Sequence, residues 1–358
     1  MRQWKFYCHK TKFLRFLSFI SGDCWLCVFN LLSPRQLGFG IAMISHRFDF
    51  YVDEHFKTRK WTLGLIRIWS KIGENGTKKM KIVNGYGKRM PIPQIQMPRK
   101  VIGFNYISIY YIDQNAIAFL RHFHQLFATC PINLAIETEN DRILVFILRN
   151  IWPMIGKNIH FMELSAGIFH RFRQFVPSIL NDCPSLRFVC FNFHNLFAEF
   201  PCDDNAMASD GQAVAKWLFT PLQNDVPKMY KCWLKNDDSS WSSKIEAFKA
   251  AFANASSPVN FIVTIWFSFA SSVVPFDLTN ELTREQLTLK RTDYSNRFLL
   301  IRCPISRDAS KWAKWEKEAI DWRICGQCNR IEIQIYVERQ IGDGLLDATP
   351  GTSDRQQK

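Results

Sequence analysis

Two Cys-x-x-Cys pairs, Cys24/Cys27 and Cys325/Cys328, have the spacing in this chain best suited to redox or metal chemistry. The second reads Cys-Gly-Gln-Cys. Dithiol chemistry wants its first cysteine at a helix amino terminus, where the helix dipole favours a thiolate. Here the motif follows an expected helix and precedes an expected strand. Structural zinc needs four ligands, and the two pairs lie about 300 residues apart in sequence. His122 and His124 stand two apart on an expected helix, so they point to different faces. His46, His55, His160, His170 and His194 have no acid or nucleophile at a recognisable spacing. No nucleophile elbow, phosphate-cradling glycine loop or metalloprotease signature is present. The expectation is a chain that is not an enzyme and binds no metal, cofactor or small molecule.

Composition narrows the class. Of 358 residues, 47% are hydrophobic and 22% charged, with 31 Phe and 12 Trp, enough to fill a large aromatic core. The net charge of +14 comes from the front of the chain. Residues 1–100 hold 19 Lys or Arg against 5 Asp or Glu, and the rest holds 27 of each sign. A nucleic-acid groove on the body would need its own basic stripe, so nucleic acid is not an expected partner. Eleven cysteines without dense spacing read as free thiols in a reducing compartment, cytoplasmic or nuclear. Residues 10–32 carry apolar runs that Arg15 and Asp23 interrupt; they are too short for a membrane span and depart from the pattern of a signal segment, and secretion stays open as an alternative.

The elements follow from periodicity. After an extension over 1–20, residues 21–60 read as small helices. Asp23 caps a helix carrying Trp25, Leu26, Val28, Phe29 and Leu32. Ser33-Pro34-Arg35-Gln36 opens another, with Leu37, Ile41, Ile44 and Phe48 on one face. Residues 61–100 read as a basic linker, rich in Lys, Gly and Pro. From 101 to 341 an α/β body is expected. Ile107, Leu134, Phe161 and Phe188 recur every 27 residues, with helix-like segments at 115–127, 142–155 and 169–180 between them. Each unit, a short strand plus a helix, cannot hide its apolar face alone and must stack on the next. The order resembles an irregular leucine-rich-type repeat. Further strands are expected at 229–234, 260–267 and 298–302, helices at 212–219 and 243–255, and a hairpin over 278–289. A helix over 310–322 carries the stripe Trp312, Trp315, Ala319 and Trp322, read as core. A closing strand follows at 331–336, then a disordered tail over 342–358.

The helical unit at 22–56 resembles an F-box: an apolar helix ending at Phe29 and Leu32, a proline opening the next at Pro34, then Leu37, Ile44 and an aromatic after a basic residue, Arg47-Phe48. Where an F-box opens with Leu-Pro and an acidic residue, this chain has Ile20-Ser21-Gly22-Asp23. The later chain resembles the F-box-associated region of expanded nematode F-box families. The matching segments include Ala213-Val-Ala-Lys-Trp217-Leu, Val274-Pro-Phe-Asp-Leu278-Thr-Asn, Arg302-Cys-Pro-Ile305 and Lys311-Trp-Ala-Lys-Trp-Glu-Lys-Glu-Ala319. The resemblance implies a non-catalytic adaptor in a ubiquitin ligase. Phe29, Leu32, Pro34, Leu37, Ile44 and Phe48 would dock a Skp-type adaptor on its cullin scaffold, and the body would choose a protein substrate. Two rival readings are a nucleic-acid- or membrane-surface-binding protein acting through residues 1–100, and a secreted effector that borrows a host ligase.

Overall fold

The computed structural model describes residues 20–32, 37, 41–58, 60–72, 78–84, 101–138, 140–191, 196–223, 225–234, 241–268, 273–294, 296–321, 329–342 and 345–346. The chain divides into two compact units. One comprises Met1–Trp61 with Pro98–Ile102, the other Thr62–Met97 with Gly103–Lys358.

In the smaller unit, the described residues up to Thr58 are mostly helical. Helix α1 spans Gly22–Phe29 and α2 spans His46–Thr58, with a 3-10 turn at Ala42–Ile44 between them. Ser21, not Asp23, caps α1, its hydroxyl accepting from the Cys24 amide. The expected single helical face from Leu37 to Phe48 is interrupted at Ser45, whose backbone is extended.

The larger unit is mixed α/β, built on one 12-stranded sheet in the order β2-β1-β3-β12-β4-β5-β6-β7-β8-β11-β10-β9. Its central strands are β3 Val101–Ile109, β4 Ile132–Glu137, β5 Ile159–Leu164, β6 Phe188–Phe191, β7 Lys228–Leu234, β8 Phe261–Phe267 and β12 Arg330–Gln334. All seven run parallel. At one end β11 Arg297–Pro304, β10 Glu285–Arg291 and β9 Phe276–Asn280 continue antiparallel. At the other, β1 Trp61–Ile72 pairs antiparallel with β2 Lys78–Asn84. These last two correct the linker expected over 61–100. Ile66 and Ile68 are buried on either side of Arg67, the alternation of a strand.

The 27-residue spacing marks real strand positions. Phe161 sits directly opposite Phe188, and the row continues through Met229, Ile262 and Ile301. A register irregularity between Ile132 and Asn133 shifts Leu134 opposite Met162. Ile107 and Leu134 do not meet. The strand expected to close the sheet, β12, is inserted between them, with Ile331 opposite both.

Each parallel strand from β3 to β7 is followed by helix: α3 Gln114–His122 and α4 His124–Thr129, α5 Asp141–Asn150 and α6 Trp152–Ile155, α7 Ala166–Phe175, α8 Asp210–Leu218, and α9 Trp241–Ala253. Right-handed crossovers in one direction set these helices side by side on one face. Neighbours such as α5 and α7, or α7 and α8, accordingly touch. Short side chains start them where the sequence offers a cap: Asp113, Asn140, Ser165 and Ser209 each accept from first-turn amides. The helices expected over 115–127 and 142–155 are each two, parting at Phe123 and at Ile151. His122 and His124 therefore lie on different helices.

The last helix, α10 Ala309–Ile320, covers the opposite face. Trp312 and Ala319 are buried against Phe161, Phe188, Met229, Ile262 and Ile301, with Trp315 partly buried beside them. Polar contacts fasten its carboxyl end. Thr264 donates to the Ala319 carbonyl (2.8 Å), Arg297 to that of Ile320 (3.3 Å), and Arg187 pairs with Glu318 (3.0 Å).

A buried ion pair and a buried single cation lie in this interior on different terms. Arg302 and Glu285, both essentially unexposed, meet at 2.6 Å. Glu285 also accepts from the Val259 amide, and Arg302 donates to the Ser257 carbonyl between the rings of Phe219 and Phe252. Lys228, 3% exposed, has no carboxylate bound to it among the described residues. Its ammonium donates to the Trp217 carbonyl at the end of α8, over the Trp217 ring. Helix dipole and indole both favour a cation there. Burial nonetheless lowers its pKa from 10.5 to about 7.

That shift sets a pH dependence. Below pH 7 folded and unfolded chains both carry the proton, and the burial penalty is felt in full. Between about 7 and 10.5 the folded form sheds it first, so the contribution of Lys228 to stability becomes less unfavourable as pH rises. Lys228→Met should raise stability at neutral pH by about 1–3 kcal/mol, the rest of the penalty being offset by the lost hydrogen bond. The gain should fade towards pH 10. Urea unfolding at several pH values measures it, and a gain that does not change with pH refutes it.

Candidate functional site

The helical unit is where sequence and structure disagree about which side chains face outward. Phe29, Leu37 and Phe48, three of the six expected docking residues, are buried together with Val52 in the unit's own core. Trp25 meets Phe48 edge-on at 4.7 Å between ring centres, and Phe29 meets His55 at 5.7 Å. Leu32 is partly buried against the same cluster. Pro34 lies outside the described residues. Of the five that are described, only Ile44 is exposed, at 40%. Phe29, Leu37 and Phe48 are therefore the interior that holds the helices together, and a docking face built on them is corrected.

The outward face is different, and α1 explains it. Helical turns continue past Phe29, since Leu31 donates to the Val28 carbonyl (3.0 Å) and Leu32 to that of Phe29 (3.2 Å). Trp25, Phe29 and Leu32 form the inward stripe. Cys24, Cys27, Val28 and Leu31, at i, i+3, i+4 and i+7, form a second stripe, and all four are exposed. Val28 is 43% exposed and Leu31 86%. Positions at this spacing share one helix face. Met43 at 79% and Phe50 at 59% add exposed apolar surface elsewhere on the unit. Single exposed apolar residues are ordinary on protein surfaces. A helix apolar on opposite faces is not, because such a helix is ordinarily covered on both.

Polar contacts fix the unit's shape. Arg47 donates through Nη2 to the Ile20 carbonyl (3.2 Å) and through Nε to the Tyr51 hydroxyl (3.2 Å), tying the entry to α1 onto α2.

The other residues singled out by chemistry are placed as follows. Cys325, Cys328, Trp322 and His194 lie outside the described residues. His160 is half-buried, and its pKa is lowered by desolvation and then by the Arg187 guanidinium. His170 contacts Asp210 at 3.1 Å, and Arg173, itself nearly buried, pairs with the same carboxylate at 2.8 Å. Arg173 also donates to the carbonyls of Asn205, Ala208 and Pro177, so this cluster shapes the loop before α8. Among the described residues, no group of three or more His, Cys, Asp or Glu is placed to hold a metal ion, and no helix is long and apolar enough to cross a membrane.

Interior and surface positions on α1 predict opposite outcomes. Phe29→Ala should cost about 3–5 kcal/mol, enough to unfold so small a helical core. Leu31→Asp should change stability by about 0.5 kcal/mol or less. Amide hydrogen exchange over residues 21–58 of the full chain separates them: protection lost in the first and kept in the second. Equal protection in both would refute the two-stripe assignment. Comparison of the chain with protein-family models, characterised proteins and solved structures gave no match.

Proposed function

We propose that the chain is a non-catalytic substrate-recognition adaptor of a Skp–cullin–F-box type ubiquitin ligase. The helical unit, F-box-like in the order of its residues, docks a Skp-type adaptor. The α/β body, an irregular leucine-rich-repeat-like stack, holds a protein substrate, and the complex acts in the cytoplasm or nucleus. The observation that carries this reading is the exposed stripe Cys24, Cys27, Val28 and Leu31 on α1. A helix lying in an apolar groove is read through anchors at this spacing, and the F-box resemblance names the partner that would supply the groove.

The body supports the second half of the reading. Five strands, β4 to β8, run parallel in chain order, and helices crowd one face. A stack of this kind offers an extended row of strand ends and loops on which another protein can rest. Because Phe29, Leu37 and Phe48 lie in the unit's interior, the docking anchors in this reading are those of the outer stripe of α1.

The test uses the full-length chain co-expressed with a Skp-type adaptor. Wild type should co-elute with it at micromolar concentration. Leu31→Asp should weaken the complex about tenfold or more, as loss of an interface anchor does, with its thermal unfolding unchanged. Failure of wild type to co-elute, or a Leu31→Asp complex of undiminished affinity, defeats the proposal.

A further inference from the structure

The outer stripe of α1 carries chemistry as well as apolar surface. Among the described cysteines, Cys24 and Cys27 are the exposed ones. Cys130, Cys183, Cys190, Cys232 and Cys303 are buried and Cys202 is half-buried. Burial pushes the Cys183 and Cys190 thiols up to about 12 and Cys202 up to about 11, away from reactive thiolate. Cys24 and Cys27 stand three residues apart on one helix, which sets them side by side on the same face. The Ser21 hydroxyl, which also caps the helix, lies 3.3 Å from Cys24 Sγ as a donor.

We propose that Cys24 and Cys27 form a reversible dithiol–disulfide site on the outer face of α1, oxidised by exchange with a small-molecule disulfide. One thiolate attacks a sulfur of RSSR and expels RS⁻, leaving a mixed disulfide. The neighbouring thiolate then attacks the protein sulfur of that bond and expels the second RS⁻. The cysteines lose two electrons and two protons, and RSSR becomes two RSH.

Geometry fixes the character of the bond. Helical neighbours at this spacing hold their Cβ atoms about 5–6 Å apart, whereas a disulfide wants about 3.5–4.5 Å. Closing it tightens one turn of an eight-residue helix that already ends in 3-10-type bonds. A bond made under strain is easily reduced, so it reverses under mild conditions. Oxidation also pulls two of the four outer positions out of helical spacing. Resting on the docking proposal above, the oxidised chain should bind the Skp-type adaptor about tenfold more weakly than the reduced chain.

The experiment equilibrates the full-length chain in glutathione buffers from reducing to oxidising, quenches with acid, alkylates and maps peptides. The expected product is an internal disulfide in the peptide carrying Cys24 and Cys27, reversed on return to reducing buffer. In Cys27→Ser, Cys24 should instead keep a stable glutathione adduct. Separate adducts on both wild-type cysteines, a bridge from either to another cysteine, or no reaction overturns the proposal. Adaptor binding is then compared between the two redox states, with the Cys24→Ser/Cys27→Ser chain as the redox-insensitive reference. If the internal disulfide forms but neither state binds the adaptor, the docking reading fails and the dithiol site stands. If both states bind equally, the control of docking is refuted.

Discussion

A parallel strand buried on both faces has to be covered twice, and this requirement organises the larger unit. The helices that connect β3 to β8 cover one face by themselves, because crossovers of one hand deliver every helix to the same side. The other face must be covered by something that arrives later in the chain. That element is α10. Its Trp312 lies against the row Phe161, Phe188, Met229, Ile262 and Ile301, which spans five adjacent strands. Once α10 has crossed that face, the chain can return as a parallel strand, and it does so between β3 and β4. The internal position of β12 and the docking of α10 are thus two parts of one connection. Thr264, Arg297 and Arg187, from three different strands or their edges, anchor the helix at its carboxyl end where free carbonyls need donors.

Buried charge is treated differently at two points in that body, and the difference is chemical. Arg302 and Glu285 neutralise each other, and each also holds backbone, Arg302 Nη2 donating to the Ser257 carbonyl and Glu285 accepting from the Val259 amide. The pair thereby ties the antiparallel end of the sheet to the loop between α9 and β8. Removing one partner would strand the other in a medium that cannot solvate it. Lys228 is held instead by a helix carboxyl end and an indole face. These are partial charges, too weak to offset burial, and so the proton itself becomes negotiable near neutrality.

What the sequence disclosed and what it hid follow from the range of the interactions. Strand positions were legible because they depend on neighbours, and Phe161 and Phe188 do pair; the cap of α1 was not, since Ser21 and not Asp23 accepts from the first-turn amide. The insertion of β12 was not, because Ile331 belongs equally well beside Ile107 or beside Leu134 until the path of α10 is known. Residues 61–72 looked like linker through their charge and through the glycines and prolines that follow, yet Ile66 and Ile68 already carried a strand's alternation. Phe29, Leu37 and Phe48 were recognised as a set that belongs together. Their direction was misjudged.

That misjudgement has a physical root in α1. Side-chain hydrophobicity can assign an inward face only when the opposite face is polar. Between Cys24 and Leu32, Asn30 is the one strongly polar residue, so sequence alone cannot choose between the stripe at 25, 29 and 32 and the stripe at 24, 27, 28 and 31. Volume makes the choice. The first stripe carries Trp25 and Phe29, large enough to reach the aromatic rings of Phe48 and His55. The second carries two cysteines, a valine and a leucine, with no ring to reach across to α2. The same size difference that closes the unit's interior leaves the ring-free stripe of α1 on its surface.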